Sequence, residues 1–399
     1  MESIFSANEP SLGYLYQIRY GLWLIVSAEN REAKLFIEKF DDVSIDTPDA
    51  KNVYQTKLHI KSVANLTDAS SDLWKTLRVW SEGISIGLLN PKTDFFNLVT
   101  TAKTSTDSIP YQLRQGTENE RNINQILSSL VDVAKTSANI GNKQAYNSFL
   151  RLTEEQQKCL IQKITIVDAS IDISETRTKI LHELRLFSLK KESLYERLEG
   201  WFVGEIISQL LNQRNAISAK EVADKILDIS DTFKSDNLPN DFNLPIVSDE
   251  TQLASYRDKI FVKQVEIIGM SQKLINHAIS DYHRAFSQKS KWIREGLISP
   301  LDEISYHQKL TEDWDRKFSI LEECLTNDDE AVQGQKGRSF YETHYISHYP
   351  QIHIKDRFKE QYMVLGCCHM LSDKKIIGWH PDYINKIATD DTTKLGDQA

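Results

Sequence analysis

The sequence predicts a chain in two parts: a small mixed sheet flanked by helices over residues 1–195, then a mainly α-helical part over residues 200–399. Three observations carry this. Two strand-like runs lie close together at Leu35–Ile45 and Val53–Ile60, on either side of a turn-rich middle. Further strand-like runs then alternate with helical periodicity as far as about Lys191. Near Glu199 the composition changes, and from Gly200 the periodicity is almost wholly helical until the last 60 residues.

Ser11 to Ala28 reads as a helix, because Leu12, Tyr16, Tyr20, Trp23 and Val26 recur at helical spacing. Gln17 lies among these apolar positions, either projecting toward a site or sitting on the helix surface. The two strand runs follow, joined by DTPDAKN, a turn by composition. Thr67 to Glu82 reads as a second helix, with Asp68, Ser70, Ser71 or Asp72 as its cap and Leu73, Leu77 and Trp80 as its apolar stripe. Phe95 to Ala102 is a β-prone run, and Lys163 to Asp168 alternates like a short strand within a helix-rich stretch. In the second part the longest element runs from Gln252 to Leu297. There Phe261, Val265, Ile268, Ile275, Ile279, Tyr282 and Phe286 form a heptad stripe, a pattern that suits a domain interior or an oligomer interface. Asp231 to Ser248 reads as a loop, and the chain from Ala388 as a polar tail.

The chain carries a net charge of −9, which disfavours a free-standing, constitutive DNA binder, because phosphate neutralisation supplies most non-specific affinity. DNA contact would have to come through a local patch, self-assembly or a partner. Four scattered cysteines offer no disulfide framework, no secretory signal is visible, and no apolar run approaches the roughly 20 residues needed to span a bilayer. The cytoplasm is the expected compartment.

Side chains alternate across a strand. In the first run this puts Glu38, Phe40 and Asp42 on one face; in the second it puts Gln55, Lys57 and His59 on one face, with Tyr54, Thr56, Leu58 and Ile60 on the other. If the runs pair, a carboxylate, an amide oxygen and an ammonium meet at one end of the sheet, which is the polar content of a metal-dependent phosphodiesterase site. Asp42 would bind Mg²⁺ (or Mn²⁺) directly, Gln55 would add a carbonyl oxygen, and Lys57 would orient the attacking water and offset the developing phosphorane charge. Glu38 shares the face of Asp42, and a β-bulge would exchange Asp42 for Asp41. Glu38 and Gln17 are the supporting ligands. By spacing alone, an aspartate followed by this Gln-x-Lys also describes a solvated charged hairpin.

The series GYLYQ, IEKFDDV, YQTKLHI, LTDASSDLWKTLRVW and FFNLVTTA resembles the double-stranded DNA endonuclease domain of CBASS-type defence effectors, within the PD-(D/E)xK restriction-like superfamily. The resemblance spans roughly the first half of the chain. It rests on Gly13 and Gln17, Glu38 with Asp41 and Asp42, Gln55 with Lys57, and the helix from Asp72 to Leu77. It implies an α/β restriction-endonuclease-like domain, an Mg²⁺-dependent endodeoxyribonuclease, and Gln-x-Lys as an accepted variant of Glu-x-Lys. Asp281–Leu297, the segment at Trp314, Gly337–Glu342, Cys368–Leu371 and Gly378–Pro381 resemble the C-terminal domain of ABC-three-component systems. A nuclease joined to that domain is the layout of the Lamassu-type effector subunit. That resemblance implies an SMC-like ABC ATPase and a small third subunit as partners, with double-stranded DNA as substrate and a dimer or tetramer as the active form. Consistent with this, the chain has no G-x-x-x-x-G-K-[ST] loop of its own. A non-catalytic docking or DNA-sensing subunit and an RNA-cleaving effector are the competing expectations.

Two further clusters lack recognised chemistry. His344, His348, His353, His369 and His380, with Cys367 and Cys368, have no zinc-ligand spacing and read as a wet surface or partner contact. Arg284, Lys289, Lys291 and Arg294 surround Trp292 and read as cations paired with acidic neighbours or a partner.

Overall fold

The computed structural model describes residues 8–59, 64–246, 250–325 and 329–388. Ile60 and the tail beyond Ala388 lie outside them. The chain divides into two compact units, Met1–Ser230 and Asp231–Ala399. The division falls beyond the composition change near Glu199.

The first unit is a mixed sheet between helices. Helix α1 (Asn8–Val26) is followed by strands β1 (Lys34–Ile37), β2 (Val43–Asp46) and β3 (Lys51–Lys57), which pair as an antiparallel meander. After β4 (Asn65–Leu66), helix α2 (Ser71–Ser85) crosses to β5 (Phe95–Thr100), which lies parallel to β3. A short β6 (Lys103–Thr104) pairs with β4 in a second small sheet. Helices α3 (Ile109–Gln112), α4 (Ile123–Thr136), α5 (Lys143–Leu150) and α6 (Glu154–Lys163) lead to β7 (Ile164–Val167), parallel to β5. Helices α7 (Ile173–Leu184) and α8 (Lys191–Leu210) pack on α1, and β8 (Ile217–Ser218) with α9 (Ala219–Asp231) closes the unit. The sheet order is β7-β5-β3-β2-β1-β8.

The run Leu35–Ile45 is a hairpin and not a single strand. Ile37 sits opposite Val43, and the Glu38 N–H donates to the Asp42 carbonyl at 3.1 Å. Leu35–Ile37 and Val43–Ile45 supply the paired strands, and the charged stretch Glu38–Asp42 makes the connection between them. Glu38 takes a left-handed φ of +55°, so the period-two face shared by Glu38, Phe40 and Asp42 does not form.

The second run alternates as expected. Val53 packs on the α2 side with Trp74, Trp80, Phe96 and Leu98, whereas Tyr54 and Leu58 pack with Tyr16 and Tyr20 of α1 and with Val99. Helix α2 is capped by Ser70, whose side chain accepts from the Leu73 N–H, and it buries Leu73, Trp74, Leu77 and Trp80. At the far edge, the two-residue β8 covers only Lys34 and Leu35 of β1. Gln209 of α8 satisfies what remains, donating to the Leu35 carbonyl and accepting from the Ile37 N–H.

In the second unit the expected single element Gln252–Leu297 is three helices: α10 (Glu250–Ala254), α11 (Ile260–Ile267) and α12 (Gln272–Arg294). Gly269 leaves the helix at φ +72°, and Ser271 caps α12 by accepting from Leu274. Phe261, Val265, Ile268, Ile275, Ile279 and Tyr282 are all buried in the unit's core, so this part of the stripe is internal packing; Phe286 alone is half-exposed. Helices α13 (Pro300–Glu323), α14 (Glu330–Tyr341) and α15 (Gln361–Asp373) complete the unit, and α15 packs mainly on α12.

Much of the His- and Cys-rich region is core, which corrects its reading as a wet surface. Every residue of α15 from Tyr362 to Ser372 is buried, as expected of a helix that is apolar nearly all round. His369 lies among Phe261, Tyr341 and Trp379, and burial pulls its imidazole down to about 3. The unfolded chain therefore binds a proton below about pH 6.5 that the folded unit refuses. The stability from a neutral His369 is complete above that pH and falls as acid approaches the folded value. As pH is lowered from 6.5, the melting temperature of the second unit is expected to fall less, or rise more, in His369→Gln than in the wild type, and the difference between the two reads the buried imidazole.

Candidate active site

The site is built on the α2 side of β3. Gln55 and Lys57 alternate onto that face, and the strand's course is extended past Lys57 by Thr101, whose N–H donates to the Lys57 carbonyl while its hydroxyl accepts from the His59 N–H at 2.8 Å. His59 Nε2 then meets Asp72 Oδ2, in the first turn of α2, at 2.8 Å. Gln55 is 6% exposed, yet among the described residues nothing hydrogen-bonds to its amide. Among the same residues the Lys57 ammonium has neither a hydrogen bond nor an ion pair.

The two aspartates that precede β2 turn in different directions. Asp42 Oδ2 accepts from the Thr56 N–H at 2.8 Å and from the Thr56 hydroxyl at 3.0 Å, so this carboxylate is tied to Thr56, one residue out of step with Gln55 and Lys57. Asp41 is 7% exposed and turns toward α2, where Oδ2 accepts from Trp80 Nε1 at 2.5 Å and Oδ1 accepts from the Asp42 N–H at 3.0 Å. Burial pushes the Asp41 carboxyl up to about 7; the Asp42 charge adds to this, and Trp80, the Asp42 N–H and Lys57 oppose it. The Lys57 charge is thus felt at Asp41.

Gln17 and Glu38 shape this turn. Gln17 is buried on α1, and its Nε2 donates to Glu38 Oε1 at 3.0 Å and to the Asp42 carbonyl at 2.5 Å. It is not a helix-surface glutamine. With that clip in place, Glu38 stays exposed on the outside of the turn while the backbone of Asp41 and Asp42 is fixed. Asp41 thus turns to the α2 side, onto which Gln55 and Lys57 also alternate, whereas Asp42 is tied to Thr56 and Glu38 to Gln17.

Trp80, Thr56 and Asp72 hold this arrangement, and sequence reasoning gave none of them such a role. Trp80 read as part of an apolar stripe; the available signal was that an indole in a buried stripe still needs an acceptor for its N–H. Among the described residues, no three His, Cys, Asp or Glu side chains converge as a ready-made metal centre. Asp41 and Gln55, on the α2 side, offer only oxygen donors, a carboxyl and an amide. This suits Mg²⁺, which commonly keeps several waters and takes only one or two carboxylates from the protein.

The basic cluster of the second unit is largely engaged within its own unit. Arg284 donates to the carbonyls of Phe242 and Asn243 and lies over Tyr362. Lys289 is buried against Glu303 and His307, and Lys291 pairs with Asp241. Lys289 and Lys291 thus pair with acidic neighbours of their own unit, as the paired reading expects.

Residues 261–387 match the model of C-terminal domain 7 of the ABC-three component (ABC-3C) systems. All five motif segments of the second half fall within this match, and the C-terminal domain is of that kind. No curated protein matches the chain. Among solved structures, a Cap4 SAVED/CARF-domain containing receptor of Acinetobacter baumannii, solved with the cyclic trinucleotide 2'3'3'-cAAA, is 14% identical with a TM-score of 0.35, over 69% of this chain and 66% of that one. The Cap4 SAVED/CARF-domain containing receptor of Moraxella osloensis is 15% identical with a TM-score of 0.35, over 71% of this chain and 69% of that one. The chain spans just under two thirds of the length of the first. Similarity at this level bears on neither fold nor function. Among the described residues, no helix is long and apolar enough to cross a membrane.

Proposed function

From an ABC-3C-type C-terminal domain joined to a sheet with a buried oxygen pair, we propose that the chain is a metal-dependent DNA endonuclease. It would act as the effector of a multi-component defence system against phage or plasmids, with a restriction-endonuclease-like first unit. One observation carries this reading: Asp41, Gln55 and Lys57 share a face, and neither the amide nor the ammonium has a partner among the described residues.

Asp41 and Gln55 would hold Mg²⁺ or Mn²⁺. A bound cation supplies Lewis-acid polarisation of a phosphoryl oxygen and a more acidic water. Lys57 orients the water and offsets charge as it grows on the phosphoryl oxygens. Trp80 fixes the Asp41 carboxyl through its indole N–H, and Gln17 holds the Glu38–Asp42 turn from which Asp41 projects. Asp42 serves from the neighbouring position, anchoring the turn to β3 through Thr56.

The SMC-like ATPase and the small third subunit are the proposed partners through the C-terminal domain. Cutting both strands of a duplex needs two sites, so the active form is an even-numbered assembly. The test offers the purified protein supercoiled plasmid DNA and RNA side by side, with Mg²⁺, with Mn²⁺ and with EDTA. Metal-dependent cleavage of DNA, lost in Lys57→Ala by a factor on the order of 10² to 10³ with thermal stability unchanged, is the expected result. Cleavage of RNA alone, or DNA cleavage indifferent to Lys57→Ala, would overturn the reading.

A further inference from the structure

We infer that His59, held by Asp72, is a contact for the nucleic-acid backbone, so that the bound strand runs along β3 from Gln55 past Lys57 to His59. This rests on the nuclease reading for the place of the scissile phosphate, though not for the contact itself. Three observations support it. His59 continues the face of Gln55 and Lys57, because Thr101 holds the chain in step beyond the last residue of β3. Its ring is fixed at one nitrogen only, Nε2 on Asp72 Oδ2, and Nδ1 has no partner among the described residues. The pair lies partly exposed, the His59 side chain at 32% and the Asp72 side chain at 23%, so the free nitrogen is open to a ligand.

Distance decides what kind of contact this is. Four residues along a strand span about 13 Å. Trp80, which holds Asp41, and Asp72, which holds His59, are eight residues apart on α2, about 12 Å along its axis. A group so far from Asp41 is beyond hydrogen-bond reach of the atoms reacting there. It does reach a phosphate farther along the same backbone. His59 is therefore a positioning residue, with Asp72 from α2 and Lys57 from β3 as the charged groups facing it. Asp72 orients the ring as a carboxylate commonly orients a working imidazole.

The test measures binding of the full chain to a short labelled DNA duplex in EDTA, across a salt series at constant pH. His59→Gln is expected to weaken binding about fivefold and to reduce the slope of log affinity against log salt by about one. In cleavage assays it should raise KM and leave kcat unchanged. Asp72→Asn should give a smaller change in the same direction. An unchanged salt slope, or an unchanged KM with a lower kcat, overturns the inference. So does a loss of thermal stability in both variants with binding intact, which would make the pair a structural anchor. If the wild-type protein binds duplex with the expected His59 dependence but never cleaves it with Mg²⁺, the nuclease reading fails and the backbone contact stands. Failure of the wild type to bind duplex sinks the contact.

Discussion

Asp41→Asn is expected to remove metal-dependent DNA cleavage, by a factor on the order of 10³ or more, whereas Asp42→Asn should keep most of it. The difference follows from where each carboxylate is tied. Asp41 lies on the face of Gln55 and Lys57 with Trp80 behind it, and an amide there offers a cation no negative charge. Asp42 is committed to Thr56, so its substitution weakens two hydrogen bonds to a charged acceptor and lowers stability by about 1–3 kcal/mol. A second readout needs no activity. The folded Asp41 carboxyl sits near 7, against about 4 for an ordinary aspartate, so the folded state holds more protons between those values. Stability of the metal-free protein therefore falls as pH rises from about 4 to 7 and levels off above. Asp41→Asn lifts that penalty, which is at most roughly 4 kcal/mol, and should raise the melting temperature of the first unit in EDTA at pH 8 while leaving it unchanged at pH 4. Cleavage by the wild type should rise with pH between 6 and 8, because the carboxyl must lose its proton to take a cation. If Asp42→Asn is the dead variant and Asp41→Asn cleaves normally, the assignment of the two aspartates is reversed.

The second strand of this site was legible in the sequence, and the turn opposite it was not. Gln55, Lys57 and His59 could be placed because β3 is a central strand whose two faces are both buried against helices, and there period two is enforced. The first run failed the same treatment. Its composition shows no break, and what holds the break is remote: Gln17 on α1 reaches both Glu38 and Asp42. The same clip accounts for a left-handed, non-glycine Glu38 that no local propensity would predict. A two-residue strand such as β8 leaves no periodic signal. The break between α11 and α12 was written locally as Gly269 and Ser271, but the heptad stripe passes over it in phase and conceals it. His369 shows the opposite limit: its residue type suggests a surface or a metal, and only the packing of α15 makes it core.

Gly366→Val is expected to destabilise the second unit strongly. A Cβ added at Gly366 would press into the backbone carbonyl of Asp281 and lie 2.6 Å from the Cβ of Ala285, both on α12. Neither obstacle is the far end of a flexible side chain, so one helix must shift against the other across the main packing contact of α15. Overpacking a well-filled core costs about 1–3 kcal/mol, and a clash with backbone lies at or beyond the top of that range. For a unit of this size a loss of 3 kcal/mol lowers the melting temperature by roughly 6–12 °C. Gly334 supplies the control: it also lies in a helix, α14, but a Cβ there meets nothing within 4 Å, so Gly334→Ala should be neutral or add up to about 1 kcal/mol. Thermal unfolding and limited proteolysis of the full chain would read both. With the ABC-3C-type unit collapsed, Gly366→Val should also lose the partners proposed for that domain, while the face bearing Asp41, Gln55 and Lys57, which belongs to the other compact unit, keeps its metal-dependent cleavage. Loss of cleavage together with the C-terminal fold would show instead that the face bearing Asp41, Gln55 and Lys57 depends on the helical unit.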